Sequence, residues 1–193
     1  MYGLQRYLGI EKEFIEASYY VSLDQEDVYS EFFTREVILL GTEIEATFKE
    51  LCNRINGSTP GNIGEYKDII LTRFPNIVRI SVSEKQNKTT ILPFENWDNS
   101  QLDWWNVYTG IKHNLVDAQA TLGVALKMLQ AYLILIFCVT AMREDAYFNI
   151  LDTPKMFQVG FASGGGGFAG ETELFIIYHK ETILNSLSGQ PIY

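Results

Sequence analysis

The chain has 193 residues, 47% of them hydrophobic, and sets 24 acidic against 15 basic side chains for a formal charge of −9. That length fits one domain with at most an appendage, and that apolar fraction can form a core without disulfides or structural metal. The acidic balance argues against a broad basic surface for nucleic-acid backbones, although an average charge does not register a small local basic site.

The N-terminal stretch "MYGLQRYLGIEKEF" has no apolar run of the secretory kind, and "EKEFIEASYYVSL" predicts a short first helix. A long helix is expected after "SLDQED", with Asp24 as N-cap and Glu26 and Asp27 favouring its first turn. From there Phe33, Val37, Leu40, Ile44, Phe48, Leu51 and Ile55 recur every three or four residues, which is one continuous apolar face. Gly41 lies inside that helix at a propensity cost of about 1 kcal/mol, which suggests close approach by another helix. Glu36, Glu43 and Glu50 recur every seven residues on it. Such a stripe is ordinarily a solvated face, with divalent-cation coordination as the less favoured alternative. The cluster "NGSTPGN" ends the helix.

A short helix is expected around "EYKDIILTRF", stopped by Pro75. Residues 76–94 then read as an inserted β-hairpin about the turn "EKQN", with a local basic bias from Arg79, Lys85 and Lys88. Ser100 followed by Asp103 resembles a capping box and places the next helix start near Gln101. A second long helix should run from about Asp117 to Arg143. It contains "AYLILIFCVTAM", which is shorter than the ~20 apolar residues of a membrane span and reads as a buried helix. The protein is therefore expected to be cytoplasmic and unattached to a membrane.

Residues 151–193 form a glycine-rich, β-prone C-terminal appendage to a helical domain over residues 1–150. "GGGFAG", Gly165–Gly170, formally matches G-x-G-x-x-G. No βαβ pattern surrounds it, so it reads as a hairpin connection rather than a nucleotide loop. Cys52 and Cys138 lie in apolar helical runs and read as reduced core residues. With His113 and His179 as the only histidines, a four-ligand zinc cluster would need carboxylates, and no cofactor is expected.

The stretch "WWNVYTGIKHN", Trp104–Asn114, is the densest in chemistry. On a helix Trp104, Tyr108, Ile111 and Leu115 share one face, while Asn106, Gly110, His113 and Asp117 share another. His113 thus lies on a polar stripe where Asp117 can orient the imidazole, and Lys112 points about 100° away. One reading is a general acid–base histidine with polar groups holding substrate. The favoured reading from spacing alone is a surface histidine paired with Asp117 beside aromatic anchors.

The order of a long acidic-apolar helix, "ILPFENW", "WWNVYTGIKHN" and "AQATLGVALKMLQAYLIL" resembles bacterial HEPN-like helical proteins across about Thr34 to Ala141. The W-W-x-x-Y-x-x-x-K-H core is the sharpest part of the likeness. The resemblance implies a mainly α, up-and-down helical bundle that forms a homodimer near the histidine-bearing helix. It also implies a metal-independent ribonuclease of a toxin–antitoxin or phage-defence system, with RNA as substrate. His113 matches the family histidine. Where the family carries an arginine separated from its histidine by four to six residues, this chain has Asn106, Val107 and Tyr108, and Leu115 stands where a second arginine is common. The resemblance leaves Lys112, or an arginine from elsewhere, to hold phosphate beside His113, with Asn106, Tyr108 and Asp117 positioning substrate. The alternative is a catalytically silent bundle that dimerises or binds a protein partner from a neighbouring gene, as regulator or sensor.

Overall fold

The computed structural model describes residues 2–86, 88–114, 119–143, 154–161 and 180–189. The protein is mainly helical, with six helices among the described residues: α1 (Tyr2–Ala17), α2 (Glu31–Asn56), α3 (Ile63–Arg73), α4 (Asp103–His113), α5 (Leu122–Ala141) and α6 (Lys180–Ser188). Strands β1 (Tyr29–Ser30) and β4 (Ala120–Thr121) pair antiparallel, and β2 (Ser81–Glu84) lies between β3 (Thr90–Ile91) and β5 (Phe157–Gly160), antiparallel to both.

The central contact is α2 against α5, because α2 offers a continuous apolar stripe and α5 is apolar nearly all round. Phe33, Val37, Leu40, Ile44, Phe48 and Leu51 are buried, as their spacing predicts, and Ile55 at the end of the face is half-buried. Helix α1 packs on α5, while α3 and α4 pack on α2. Helix α5 is long and apolar enough to cross a membrane, yet 78% of its apolar window is covered by the rest of the protein. That agrees with its sequence reading as a buried helix. Cys52 and Cys138 are free and buried, as expected. Burial pushes the Cys52 thiol up to about 11 and the Cys138 thiol higher still.

Four helix starts differ from the sequence expectation. Helix α1 starts at Tyr2, well before "EKEFIEASYYVSL", and ends at Ala17, because Leu4, Tyr7, Ile10 and Phe14 form its buried face. Helix α5 starts at Leu122 and not near Asp117, because Ala120–Thr121 pairs with β1 and Thr121 Oγ1 accepts from Val124 N at 3.3 Å. Helix α2 begins at Glu31, with Ser30 Oγ accepting from Phe33 N at 3.1 Å, and not after Asp24. Long-range backbone bonds keep residues 26–30 out of the helix: Leu122 N donates to Val28 O and Gly123 N to Glu26 O, each at 2.9 Å, beside the β1–β4 pair, and Val28 N closes a turn on Gln25 O at 3.1 Å. Helix α4 begins at Asp103 without the expected capping box, because Ser100 Oγ donates backward to Asn96 O at 3.0 Å. Its first turn is held instead by Asp103, which accepts from Trp104 N and Lys127 Nζ, each at 2.8 Å.

The end of α2 and the end of α3 follow their local signals. Gly57 ends α2 at φ 78°, the left-handed conformation that glycine adopts without strain. Helix α3 stops before Pro75, and Pro75–Arg79 forms a 3-10 turn leading into the expected hairpin. The segment "KMFQVGF" supplies β5, which joins that hairpin to make three strands. Buried Glu11 of α1 fixes the approach to β5, accepting from Lys155 N at 2.8 Å, Met156 N at 2.9 Å and the Tyr7 hydroxyl at 3.2 Å. Helix α6 packs on α5 and the 3-10 turn through buried Ile183 and Leu187. The "GGGFAG" stretch and His179 lie outside the described residues.

Candidate functional site

Helix α4 divides as its spacing predicts. Trp104, Trp105, Tyr108 and Ile111 are buried, while Asn106, Gly110, Lys112 and His113 are exposed. The tryptophans belong to the core. Trp104 Nε1 donates to Pro93 O at 2.8 Å, and the Trp105 ring meets Phe48 at 5.8 Å and Tyr108 at 5.2 Å. Phe48 also stacks on Trp97 at 5.5 Å and on Tyr66 at 5.2 Å. These are the offset and edge-on arrangements that aromatic quadrupoles favour in a core. The glycine inferred to admit a neighbouring helix does so, since the Tyr108 ring lies over Gly41 of α2.

The centre of the polar constellation is a residue that sequence reasoning missed, Glu45 of α2. Its Oε2 accepts from Lys112 Nζ at 3.0 Å and from the Tyr108 hydroxyl at 3.3 Å, and its Oε1 accepts from Lys49 Nζ at 3.0 Å. Lys112 Nζ also stands 5.4 Å from the centre of the Tyr108 ring. Burial pushes the Glu45 carboxyl up, but hydrogen bonds and charge from Lys49 and Lys112 outweigh it and leave it below the usual range. The hydrogen bond to Glu45 raises Lys112 in turn. Nearby Tyr66 is pushed up to about 12, first by burial and then by the Glu45 charge, and its buried hydroxyl has no partner.

Tyr108 and Lys112 are therefore brought together on Glu45, and the group closes α4 onto α2. His113 ends α4 in an exposed position, and among the described residues it has no hydrogen-bond or ion-pair partner. Asn106 is exposed on the outer face of the same helix, and Gly110 between them has open space where a Cβ would stand. Asp117 lies outside the described residues.

No family model, curated protein or solved structure matches this chain. Its reading therefore rests on its own geometry.

The heptad of glutamates is taken up by cations of the chain. Glu36 accepts from Arg35 at 3.0 Å, Glu43 pairs with Arg6 at 2.7 Å, and Glu50 pairs with Arg54 at 2.8 Å. Glu36 is buried rather than solvated, and burial pushes its carboxyl up. Among the described residues no three His, Cys, Asp or Glu side chains come together as a metal site.

Proposed function

We propose that this chain is a HEPN-like helical bundle, with β5 and α6 of its C-terminal segment packed onto it, that works by binding and does not cut RNA. In this reading it is a cytoplasmic homodimer that docks a protein partner from a neighbouring gene, as the regulator or sensor of a toxin–antitoxin or phage-defence system. The observation that carries it is the Glu45 group. A ribonuclease reading needs a cation free to hold phosphate beside His113, and Lys112 is the cation at hand. Lys112 instead faces a carboxylate at 3.0 Å, with Tyr108 on the same oxygen. A phosphate approaching Lys112 meets the Glu45 charge, and lysine lacks the two-pronged grip of arginine.

A second reading keeps His113 as general acid or base of a metal-independent ribonuclease, with Asn106 positioning the RNA. It is favoured by the open outer face of α4, where Asn106, Gly110 and His113 are all exposed. RNA cleavage in EDTA by wild type and His113→Ala, with molar mass from light scattering on the same samples, separates the two. The binding reading expects no cleavage and an oligomer indifferent to His113. Cleavage that disappears in a folded His113→Ala protein overturns it in favour of the ribonuclease. A strictly monomeric wild type refutes the homodimer.

A further inference from the structure

The surface between the end of α1 and the start of α2 carries a feature that the α4 site does not use. Tyr19, Tyr20 and Tyr29 are 79%, 90% and 59% exposed, the large apolar side chains left open among the described residues. Tyr20 lines a groove of about 660 Å³ together with Ala17, Val21, Phe32 and Phe33. Tyr29 directly precedes Ser30, which also lines it. Aromatic side chains exposed beside an apolar groove are the composition of an interaction surface rather than of ordinary solvent-facing surface.

The charge around the groove selects the occupant. Between Lys12 and Arg35 the chain carries Glu13, Glu16, Asp24, Glu26, Asp27 and Glu31 and no other base. Glu13, Glu16 and Arg35 line the groove itself, and the two cations are engaged: Arg35 holds Glu13 at 2.8 Å and Glu36 at 3.0 Å, and Lys12 lies 3.7 Å from Glu16. Among the described residues Asp24, Glu26, Asp27 and Glu31 have no ion-pair partner, and all four are exposed. A second copy of this face, a nucleic acid or an anionic membrane would each bring like charge against it.

We propose that this groove docks a protein segment that inserts apolar side chains between Tyr20 and Phe32 and lays flanking lysine or arginine residues on the acidic rim. Arginine suits the site further because its guanidinium packs on exposed tyrosine faces. The inference rests on the partner-binding reading and names the chemistry of that partner.

The test uses the full chain and fluorescein-labelled amphipathic peptides whose apolar face carries leucine and tryptophan, and whose polar face is arginine-rich, neutral or glutamate-rich. Fluorescence anisotropy should show binding of the arginine-rich peptide alone. Tyr19→Ser with Tyr20→Ser should weaken it about tenfold, as loss of an aromatic anchor does. Glu16→Gln, Asp24→Asn and Asp27→Asn together should weaken it and flatten its salt dependence. Asp68→Asn, Glu95→Gln and Asp98→Asn, the same change in net charge placed elsewhere, should leave it unchanged. No binding, equal binding of the glutamate-rich peptide, or affinity indifferent to the tyrosines overturns the proposal. So does a wild-type oligomer that the tyrosine variant dissolves, which would make the groove a self-interface. Cleavage of RNA that depends on His113 in the same preparations sinks the partner-binding reading instead, whatever the peptides do.

Discussion

Gly41→Ala gives the most direct test of how α4 sits on α2. In an open helix this change is worth about 1 kcal/mol in favour of the folded state. Here a Cβ on residue 41 would stand 2.5 Å from Tyr108 Cγ and closer still to Cδ2 and Cε2. Carbon atoms rest at about 3.5–4.0 Å, so the ring or the helix must retreat by more than about 1 Å. The ring has little freedom to retreat, being buried, edge-on to Trp105 at 5.2 Å, and tethered by its hydroxyl to Glu45 at 3.3 Å. Overpacking of this kind costs about 1–3 kcal/mol, and more where backbone must move. After the propensity gain the expected net loss is about 2 kcal/mol. In a chain of this size that lowers Tm by about 4–8 °C. Urea denaturation followed by far-ultraviolet circular dichroism measures it. In a Tyr108→Ala background the same Gly41→Ala change should cost nothing or stabilise, giving a coupling energy of about 2 kcal/mol. A Gly41→Ala protein as stable as wild type, or two substitutions that simply add, refutes the packing argument.

Glu11→Ala should destabilise by about 2–3 kcal/mol, because the Lys155 and Met156 amides lose their buried acceptor, whereas Glu11→Gln should lose less. Hydrogen exchange should show those two amides opening first in the alanine variant, and unchanged protection would refute the tether. The lowered Glu45 carboxyl contributes stability above the usual carboxylate range that is lost as pH falls through its lowered value. Lys112→Met should therefore lower the urea midpoint at neutral pH, by less than about 1 kcal/mol for so exposed a pair, and converge with wild type in acid. A gap that persists in acid would mean that the lysine acts through packing and not charge. Cys52 and Cys138 should resist iodoacetamide in the folded protein at neutral pH and react fully in guanidinium, since burial holds both as thiols. Mass spectrometry reads this, and native labelling at either site contradicts the burial.

Where the local pattern and the tertiary structure agree, the sequence was a good guide. The apolar face of α2, the turn at Gly57, the stop before Pro75 and the β2–β3 hairpin all appear as read. The start of α2 was misplaced because the acids at 24–27 imitate a helix entrance. The deciding bonds come from Leu122 and Gly123, far along the chain, and no local pattern registers them. Ser100 and Asp103 had capping-box spacing, but the serine hydroxyl found an earlier carbonyl. The outward and inward faces of α4 were legible from its periodicity. Glu45 was not, since it lies 67 residues before Lys112 on another helix. One signal was available: Glu45 is a single turn beyond Gly41 on the same face of α2. A glycine that admits a tyrosine ring predicts that the next residue down that face meets the hydroxyl end of the same side chain.

The crowding of aromatic rings around Phe48 also gives the chain a built-in optical reporter with a fixed address. All three tryptophans, Trp97, Trp104 and Trp105, are buried in that one cluster. Phe33, beneath the tyrosine groove, lies fifteen residues earlier on α2, about 22 Å along the helix. Tryptophan emission therefore reports the α3–α4 end of the molecule, and a ligand seated in the groove leaves it dark to direct contact. A shift in that emission when a partner binds would be a message carried along α2, and a constant emission would mark the two ends as independent.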